Sequence, residues 1–586
     1  MNTLKTINDY LHSYRVEGRL VREVLQNCLD LSNSFDDKNI WITKADATFL
    51  EPYFLRLEQC DPSSLPLYGV PFAVKDNIDV AGLPTTAGCA EFSYIPTEHA
   101  FVVEQLINAG AIPIGKTNMD QFASGLVGTR SPYGEGINLF DPQYISGGSS
   151  SGSALAVTAA LVPFSLGTDT AGSGRVPASF GNIVGLKPTR GALSIRGVVP
   201  ACKSLDCVAI FAQNCDDAQR VYDVCSSYDA EDSYSRPKSC VNTFGGTFRF
   251  GVPRSNQLEF FGNSAYEALF WESVEKLELL GGLRQEIDFT SFMETAKLLY
   301  HGPWIAERYC GIKEFAMTQS DAMLEVTRGI VLSGFKPTAM DAFEGFYRLS
   351  ELKRKSEEIM GQIDLLLTPT AGTIYTRDEV RNNPLALNTN LGYYTNFMNL
   401  LDLSACAVPA GFTPEGLPFG VTLAASSWNE PSLLGVGAKM QSISRYKSGL
   451  IEPSAPETVV LAVCGAHMSV LPLNHELTSR GAVLIEKSFT APLYRFYALE
   501  SFMPPRPGLV QVNEEGGSIA VELWKIPIEQ FGSFFNGVPS PLALGSLTLI
   551  DGKIVKGFLC ENYAVEGAKE ITQLGGWRNY LLGNSL

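Results

Sequence analysis

Three short segments of the chain carry side chains that could act together as a nucleophile and its base. Lys75 follows the apolar run Val-Pro-Phe-Ala-Val, which would draw its ammonium group out of water. Desolvation lowers the pKa of a lysine, so a neutral amine becomes available as a base. Ser149 lies in a Gly-Gly-Ser-Ser-Ser-Gly segment, and Ser173 lies between two glycines. Taken singly, Lys75 is better explained as a strand-end lysine facing solvent, and either serine loop equally well as a surface turn.

The loop that carries Ser173 could also hold an oxyanion, because successive backbone N–H groups can form a nest that stabilises negative charge. The candidate donors are the backbone N–H groups of Thr170, Ala171, Gly172 and Ser173. The base of a serine nucleophile is often a histidine, but the chain has five histidines and none between His99 and His301. A distant histidine could still approach in space, yet the scarcity favours a search for another base.

Two other chemistries fit the same loops less well. Gly148–Gly152 matches the Gly-x-Ser-x-Gly pattern of a nucleophile elbow, with Ser150 as the nucleophile. Such an elbow follows a strand, whereas the preceding residues 140–145 do not have the pattern of one. The glycine-rich loop could also cradle a phosphate, but it lacks the Gly-Lys-Ser/Thr ending of a P-loop.

Taken together, five segments between residues 60 and 430 resemble the amidase-signature family. They read GVPFAVKDN, GKTNMDQFA, GGSSSGSA, GTDTAGSGRVPA and GLKPTRG. The resemblance implies that Lys75 is the base, that Ser149 relays the proton and that Ser173 attacks the amide carbonyl. It also implies a cis peptide bond between Gly148 and Ser149. The proton would return to the leaving nitrogen, because an amide anion is a very poor leaving group.

A finer resemblance, to the allophanate hydrolase group of that family, is carried by residues 123–134 and 298–309. They read ASGLVGTRSPYG and LLYHGPWIAERY. This resemblance implies a small anionic substrate, allophanate, that is cut to ammonia and carbon dioxide. Arg308 would pair with the substrate carboxylate, Tyr300 would add a hydrogen bond, and Gly125 would leave room. Without the resemblance, Tyr300 is better explained as a core aromatic and Arg308 as a structural ion-pair partner.

The elements around these segments predict an α/β fold, with a mixed central sheet flanked by helices on both faces. A short apolar strand would end at Lys75 and place its side chain at the strand tip. Further strands are predicted at residues 111–115, 164–168, 362–369, 404–411 and 419–424. Helices are predicted at residues 5–35, 102–109 and 154–162, and over most of 264–360. The amidase-signature resemblance implies the same fold.

A chain of 586 residues is too long for one hydrophobic core, so at least two domains are expected. We predict an amidase-signature catalytic domain with N-terminal helices over 1–452, a linker over 453–458 and a smaller α+β domain over 459–586. The last domain resembles the C-terminal domain of allophanate hydrolases, which is related to the γ-glutamyl cyclotransferase fold. The resemblance implies a second activity, the decarboxylation of N-carboxycarbamate.

His467 is the residue of the C-terminal domain that we would test for such a reaction, with Glu522 as a candidate acid to pair with it. The alternative is that His467 is structural, which is the more common role of a lone histidine. Strand signals recur throughout this domain, and Asp551-Gly552 predicts a tight hairpin turn between two of them.

Composition and charge restrict the partners. With a net charge of −17 the chain would repel a phosphate backbone, so no nucleic acid partner is expected. The N-terminus has no apolar signal region, and residues 154–167 are too short to span a membrane. Twelve cysteines without a Cys-x-x-Cys pair indicate reduced thiols in a cytoplasmic protein. The residues call for no metal and no organic cofactor.

The expected partners are the small anionic amide and a separate urea carboxylase, because no biotin-carrier or carboxylase segment is recognised here; a homodimer is also expected. Other functions stay open. The chain could be an amidase for a different amide, aryl or aliphatic, or the glutaminase subunit that amidates Glu-tRNA. It could also be a non-catalytic assembly subunit, although the presence of all three triad residues argues against that.

Overall fold

Two compact units make up the chain, Met1–Ile451 and Glu452–Leu586. The computed structural model describes residues 4–239, 244, 246–444, 448–450, 458–500 and 502–583. Most of the predicted linker, 453–457, lies outside the described residues, and Thr458 is the first residue of a strand. The domain bounds that the sequence suggests stay a prediction.

A large mixed sheet runs through the N-terminal unit. Its strands among the described residues are β1 (Trp41–Lys44), β2 (Pro71–Lys75), β3 (Ile112–Thr117), β4 (Phe164–Asp169), β5 (Val184–Lys187), β6 (Cys207–Ala212), β7 (Phe248–Pro253), β8 (Gly282–Ile287), β9 (Leu365–Pro369), β10 (Ser404–Phe412) and β11 (Pro418–Ala425). They lie in the order β1-β3-β2-β4-β6-β5-β10-β11-β9-β7-β8. Strands β3, β2 and β4 are parallel, as are β9, β7 and β8, and the other neighbours are antiparallel. The predicted mixed sheet is therefore confirmed.

Helices pack against this sheet and against one another. Those described are α1 (Ile7–Arg15), α2 (Val21–Asn33), α3 (Ala47–Leu57), α4 (Phe101–Asn108), α5 (Ser151–Thr158), α6 (Val176–Phe180), α7 (Cys215–Cys225), α8 (Ser264–Leu279), α9 (Thr290–His301), α10 (Trp304–Gly311), α11 (Lys313–Thr318), α12 (Glu325–Ser333), α13 (Ala339–Met360), α14 (Arg377–Asn382), α15 (Ala386–Leu391), α16 (Phe397–Leu400) and α17 (Glu430–Ser442). The predicted N-terminal helices over 5–35 are confirmed as two, α1 and α2, and the chain turns between them at Gly18 with a φ of 67°. Within the described ranges, no helix is long and apolar enough to cross a membrane.

Two parallel neighbours, β2 and β4, bring the segments of the predicted site together. Lys75 is the last residue of β2, and Thr168 and Asp169 are the last two of β4. Because parallel strands end at the same edge of a sheet, the loop that carries Ser173 begins beside Lys75. Helix α5 begins two residues after Ser149, is buried along its whole length, and packs against β2, β3 and β4.

The C-terminal unit is an α+β fold with a core of its own. Its described strands are β12 (Thr458–Val463), β13 (Val483–Phe489), β14 (Tyr494–Leu499), β15 (Arg506–Gln511), β16 (Ala520–Pro527), β17 (Leu542–Thr548), β18 (Ile554–Cys560) and β19 (Lys569–Glu570), and its helices are α18 (His475–Thr478), α19 (Ile528–Phe535) and α20 (Trp577–Gly583). One sheet has the order β13-β16-β12-β18-β17 and a smaller one the order β15-β14-β19. As predicted, Asp551 and Gly552 lie in the turn between antiparallel β17 and β18, where Gly552 has a φ of 85°.

Substitution of Gly152 tests how closely α5 is packed. A Cβ on Gly152 would overlap the carbonyl oxygen of Ile40 and lie 2.6 Å from the backbone nitrogen of Asn118. We expect Gly152→Ala to lower the free energy of unfolding by about 1–3 kcal/mol, because neither backbone group can move aside cheaply. Activity should fall as well, since Ser149 lies two residues before the same helix. Chemical denaturation followed by circular dichroism measures the stability change.

Gly435→Ala is the matched control. Gly435 also lies inside a helix, α17, but a Cβ there would meet nothing within 4 Å. This variant should gain roughly 0.5–1 kcal/mol, because alanine is the better helix former. Equal effects of the two substitutions would contradict the packing argument.

Candidate active site

Lys75 is a fully buried lysine whose amine is held by two hydroxyl groups. Its Nζ lies 2.8 Å from Ser149 Oγ and 2.7 Å from Thr168 Oγ1. Burial lowers the pKa of Lys75 to about 7, although the carboxylates of Asp120 and Asp206 act in the opposite direction. A large share of the side chain is therefore a neutral amine near neutral pH. The alternative of a lysine facing solvent is wrong.

Ser149 is fixed by the backbone on either side of it. The Gly148–Ser149 peptide bond is cis, and the Ser149 carbonyl accepts a hydrogen bond from the backbone N–H of Asp120 at 3.0 Å. A Cβ on Gly148 would overlap the Asp120 carboxylate and lie 2.6 Å from the backbone nitrogen of Gly128. Glycine is therefore required at position 148, and the turn presents the Ser149 hydroxyl to Lys75.

The carboxylate of Asp169 organises the loop that carries Ser173. It accepts the N–H groups of Gly172 at 2.9 Å and Gly174 at 3.0 Å, on either side of the serine. It also binds Arg175 through Nε and Nη2, each at 2.9 Å, and both charged side chains are fully buried. Burial alone would raise the pKa of Asp169, but Arg175 lowers it overall, so the carboxylate is charged. The loop is thus folded around a buried anion.

The predicted set of oxyanion donors needs one correction. The N–H of Gly172 donates to Asp169, so it is not free for a substrate. The backbone N–H groups of Thr170, Ala171 and Ser173 make no hydrogen bond to another group within the described ranges. Three of the four predicted donors therefore keep this role as candidates.

Ser173 lies beside Gly125, one of the three predicted substrate residues. Its Oγ donates to the Gly125 carbonyl at 3.4 Å, and the described residues show no hydrogen bond between Ser173 and Ser149. A Cβ on Gly125 would lie 2.7 Å from Asp120 Oδ2, so a larger residue would press on the carboxylate behind it. The structure thus joins Lys75 to Ser149 directly. It places Ser173 against residues 124–128, the Gly125 turn.

The alternative nucleophile, Ser150, is engaged in holding the fold. Its Oγ donates to the Thr168 carbonyl at 3.1 Å and accepts from the Thr168 N–H at 3.3 Å. Residues 140–145, which precede this loop, form no strand, although a nucleophile elbow requires one. The elbow hypothesis is therefore wrong.

Arg308, on α10, is a buried guanidinium without a carboxylate in direct contact among the described residues. It is 3% exposed, and its Nη1 donates to the Ala123 carbonyl at 3.2 Å and to Ser124 Oγ at 3.0 Å. Burial alone would lower the pKa of Arg308, but Cys202, Tyr300 and the more distant carboxylates of Asp206 and Glu307 together raise it, so the guanidinium stays charged. The alternative of a structural ion pair is wrong for Arg308.

A cavity of about 310 Å³ opens beside Tyr300, which is half-buried. It is lined by residues of α9, α12 and the segment 385–396, and Asn388 connects it to the Gly125 turn. Asn388 Oδ1 accepts the N–H of Leu126, the residue after Gly125, at 2.8 Å. Asn388 therefore lies both at the cavity and at the segment against which Ser173 rests.

Sequence reasoning missed four polar residues that complete the site: Asp120, Arg130, Thr168 and Asp206. Asp120, Arg130 and Thr168 lie inside the motif segments. Each is a charged or hydroxyl side chain in an otherwise apolar or glycine-rich stretch, and this pattern could have identified them. Asp206 accepts a hydrogen bond from Thr170 Oγ1 and the N–H of Ala201 at 2.8 Å. Burial raises the pKa of Asp206 to about 6.

In the C-terminal unit, His467 has an acidic partner, but not the predicted one. Its Nε2 lies 2.9 Å from Glu476, whereas Glu522 accepts hydrogen bonds from Ser469 and Arg578. Burial lowers the pKa of His467, although Glu476 acts in the opposite direction. The pairing with Glu522 is therefore wrong.

The His467 ring lies at a small cavity of about 20 Å³ and stacks on Phe558 with ring centroids 5.4 Å apart. Arg506 and Cys464 line the same cavity. The Nε of Arg506 is buried and has no hydrogen-bond partner in the described structure. A histidine–carboxylate pair and a cation therefore face one small space.

Comparison with known proteins places this geometry in a family. A family model described as Amidase matches residues 44–434, so the chain belongs to the amidase family. A second model, described as Allophanate hydrolase C-terminal domain, matches residues 459–582. The solved structure of an allophanate hydrolase from Kluyveromyces lactis is similar, with 39% identity, a TM-score of 0.73 and coverage of 99% of both chains.

Two further relatives match this chain over different shares of their own length. Urea amidolyase from Saccharomyces cerevisiae is 40% identical over 95% of this chain, but the match covers 32% of the amidolyase. The chain thus spans about a third of the length of that relative. One of the subunits of glutamyl-tRNA(Gln) amidotransferase from Methanosarcina acetivorans is 35% identical over 65% of this chain and 86% of its own length.

The lowered pKa of Lys75 predicts the pH dependence of the reaction. A base must be neutral, and the pKa of Lys75 is about 7 instead of 10.5, so kcat/KM should rise with pH through about 7 and level off above it. A pH profile of ammonia release measures this rise, the acidic limb of the profile. A limb near pH 10 would contradict the role of burial.

Asp206→Asn is the control for the pH profile, because the pKa of Asp206 is itself about 6. Removal of this negative charge should leave the limb in place or shift it to lower pH, since the carboxylate raises the pKa of Lys75. Disappearance of the limb in Asp206→Asn would assign it to Asp206 and not to Lys75.

Proposed function

We propose that the chain hydrolyses allophanate, urea-1-carboxylate, with release of ammonia and, in the end, carbon dioxide. The observation that carries the proposal is Arg308: a charged, buried guanidinium without a carboxylate partner in the described structure, next to the Gly125 turn. Burying such a charge costs free energy unless an anion pairs with it. The similarity to an allophanate hydrolase over the whole length supports this choice of anionic amide.

The proposed first half-reaction uses the Lys75–Ser149–Ser173 group. The Ser173 hydroxyl turns from Gly125 towards Ser149 and passes its proton through Ser149 Oγ to the neutral amine of Lys75. The Ser173 oxygen then attacks the terminal amide carbon. Negative charge develops on the carbonyl oxygen next to the backbone N–H groups of Thr170, Ala171 and Ser173.

Acylation is completed when the proton path is reversed. Lys75 returns the proton through Ser149 to the nitrogen, the C–N bond breaks with its electron pair on nitrogen, and ammonia leaves. Water then attacks the acyl group on Ser173 under the same base, which frees the serine and releases N-carboxycarbamate. Thr168, which holds the Lys75 amine from the other side, keeps it in position through both steps.

Recognition of the substrate is assigned to the three residues around the turn. Arg308 pairs with the carboxylate, and its Nη1 is already oriented by the Ala123 carbonyl and the Ser124 hydroxyl. Tyr300 closes the site towards the neighbouring cavity and offers its hydroxyl. Gly125 keeps the substrate within reach of Ser173, because any side chain there would disturb Asp120.

For the C-terminal unit we propose decarboxylation of the released N-carboxycarbamate near His467. One C–N bond of this dianion breaks, carbon dioxide leaves, and the nitrogen keeps the electron pair and takes a proton to give carbamate. His467, hydrogen-bonded to Glu476, is the proposed proton donor, and Arg506 the proposed partner of a carboxylate. The match of residues 459–582 to the allophanate hydrolase C-terminal domain supports the proposal.

We also propose a urea carboxylase as the functional partner, a homodimeric assembly and a cytoplasmic location. The similarity to the much longer urea amidolyase supports the first. The eleven described cysteines form no disulfide, which fits a reducing compartment.

A second candidate function is that of the glutaminase component of a Glu-tRNA amidotransferase, because a protein of that kind is 35% identical over part of the chain. The match covers 65% of this chain, and the C-terminal unit corresponds to a different kind of domain. The net charge of −17 is also unfavourable for tRNA.

Ser173→Ala should abolish ammonia release from allophanate, with a loss of at least about 10⁴-fold, because the acyl group forms on this hydroxyl. The measurement is ammonia release from allophanate, urea, biuret, malonamide, glutamine and an aryl amide. Turnover of other amides but not allophanate would contradict the proposed substrate and leave the nucleophile intact.

Ser151→Ala is the matched control for the nucleophile. Ser151 lies in the glycine–serine loop that carries Ser149, and its hydroxyl makes one hydrogen bond in the described structure, to the Asn118 carbonyl at 3.4 Å. This variant should keep activity within a few-fold of the parent chain. Retained activity in Ser173→Ala would overturn the assignment of the nucleophile.

His467→Asn should separate the two proposed activities. The rate of allophanate consumption should stay within about twofold of the parent chain. The rate of decarboxylation should fall about 100-fold, or to the uncatalysed rate, because the proton donor is gone, so carbon dioxide forms after a lag. Simultaneous assays of allophanate and of carbon dioxide from ¹³C-labelled substrate measure this lag. The control is His475→Asn, since His475 contacts the Pro472 carbonyl at the surface. Carbon dioxide without a lag in His467→Asn would contradict the second activity.

A further inference from the structure

Arg130 is a second buried guanidinium beside the Gly125 turn, and the proposed mechanism gives it no task. It is 5% exposed. Its Nη1 donates to the Ser124 carbonyl at 2.7 Å and its Nη2 to the Pro384 carbonyl at 2.5 Å. Its Nε is buried without a hydrogen-bond partner among the described residues. An unpaired buried N–H is costly, so packing alone is a poor reason for an arginine here.

The charge of Arg130 is not matched by an ion pair in the described structure. Asp120 is the nearby carboxylate, but it accepts the backbone N–H groups of Val127, Gly128 and Arg130 and not the guanidinium. The buried Arg175, by contrast, is bound through two nitrogens to Asp169. Among the described buried arginines of this unit, Arg175 is paired with a carboxylate, whereas Arg130 and Arg308 bind only carbonyl and hydroxyl oxygens.

Arg130 and Arg308 approach one residue from two sides. Arg130 binds the carbonyl of Ser124, and Arg308 binds its hydroxyl at 3.0 Å. Ser124 is followed by Gly125, whose carbonyl accepts the Ser173 hydroxyl. Burial lowers the pKa of Arg130, the charge of Arg308 acts in the same direction, and Asp120 acts against both. The two guanidinium groups therefore repel each other next to the nucleophile.

We propose that Arg130 is a specificity-determining residue that favours substrates with a carboxylate beside the scissile amide over neutral isosteres. A carboxylate bound at Arg308 relieves the repulsion between the two cations, and the field of a buried charge is little screened. Arg130 therefore acts through the electrostatics of the Arg308 subsite and is a positioning residue, not a catalytic one. The inference rests on the proposed function, because it assumes that the substrate anion binds at Arg308.

The test compares the binding of an anion with that of its neutral isostere to the chain of 586 residues. Malonamate and malonamide differ by a carboxylate in place of a carboxamide. The readout is the concentration of each that halves the rate at which an organophosphonate labels Ser173, so the test does not require turnover of either. Arg130→Gln and Arg130→Met should raise this concentration about tenfold or more for malonamate and by less than about twofold for malonamide.

Two further variants make the result specific. Arg130→Lys keeps the charge but loses the planar group that binds Ser124 and Pro384 together, and it should keep the preference for malonamate. Arg377→Gln is the matched control: Arg377 also has a buried Nε without a partner in the described structure, but it pairs with Glu135 at 3.1 Å. This control should change neither concentration.

Equal changes for malonamate and malonamide in the neutral variants would overturn the proposal and leave Arg130 a packing residue. Loss of the preference for malonamate in Arg130→Lys would also overturn the proposal. If thermal unfolding shows that neither neutral variant is folded, Arg130→Lys alone decides the question. If the parent chain does not cut allophanate, but its preference for malonamate is lost in Arg130→Gln and kept in Arg130→Lys, the proposed substrate is refuted and the role of Arg130 is supported.

Discussion

The buried ion pair between Asp169 and Arg175 is the interaction on which the site depends. A carboxylate and a guanidinium removed from water are tolerated when their remaining hydrogen-bonding groups are satisfied. Here the carboxylate also takes two backbone N–H groups of the nucleophile loop. Asn399 donates to the Asp169 carbonyl at 2.8 Å and accepts from Arg175, which ties the pair to helix α16. Ser173 is therefore carried by the folded core and not by a surface turn.

Around this pair, the described buried cations differ in whether a carboxylate lies within ion-pair distance of them. Lys116 has Asp76 at 3.7 Å and Arg175 has Asp169, so both cations are neutralised inside the protein. Arg308 has carbonyl and hydroxyl partners only, within the described residues. A carboxylate-paired cation holds parts of the fold together, whereas Arg308 is the group with which we propose that the substrate carboxylate pairs.

The sequence was sufficient to locate the parts of the site that depend on local patterns. The apolar run before Lys75 indicated a desolvated amine, and the glycines on either side of Ser173 marked a candidate nucleophile. Both segments lie at one sheet edge, but the Ser173 side chain is buried and not exposed. The engaged N–H of Gly172 could not be predicted, because it depends on a side chain that folds back over the loop. Strand β8 was missed for a different reason: its middle residues are largely exposed and polar, so an edge strand shows no apolar alternation.

The burial of Lys75 has a thermodynamic consequence for the whole unit. Its pKa is about 7 in the folded chain and 10.5 in the unfolded one, so between these values unfolding takes up a proton. Because the unfolded state binds more protons there, the contribution of Lys75 to stability falls as the pH drops from 10.5 towards 7. The protein thus gives up part of its folding free energy to keep a reactive base. Near neutral pH the buried lysine at the centre of this site therefore favours the denatured state.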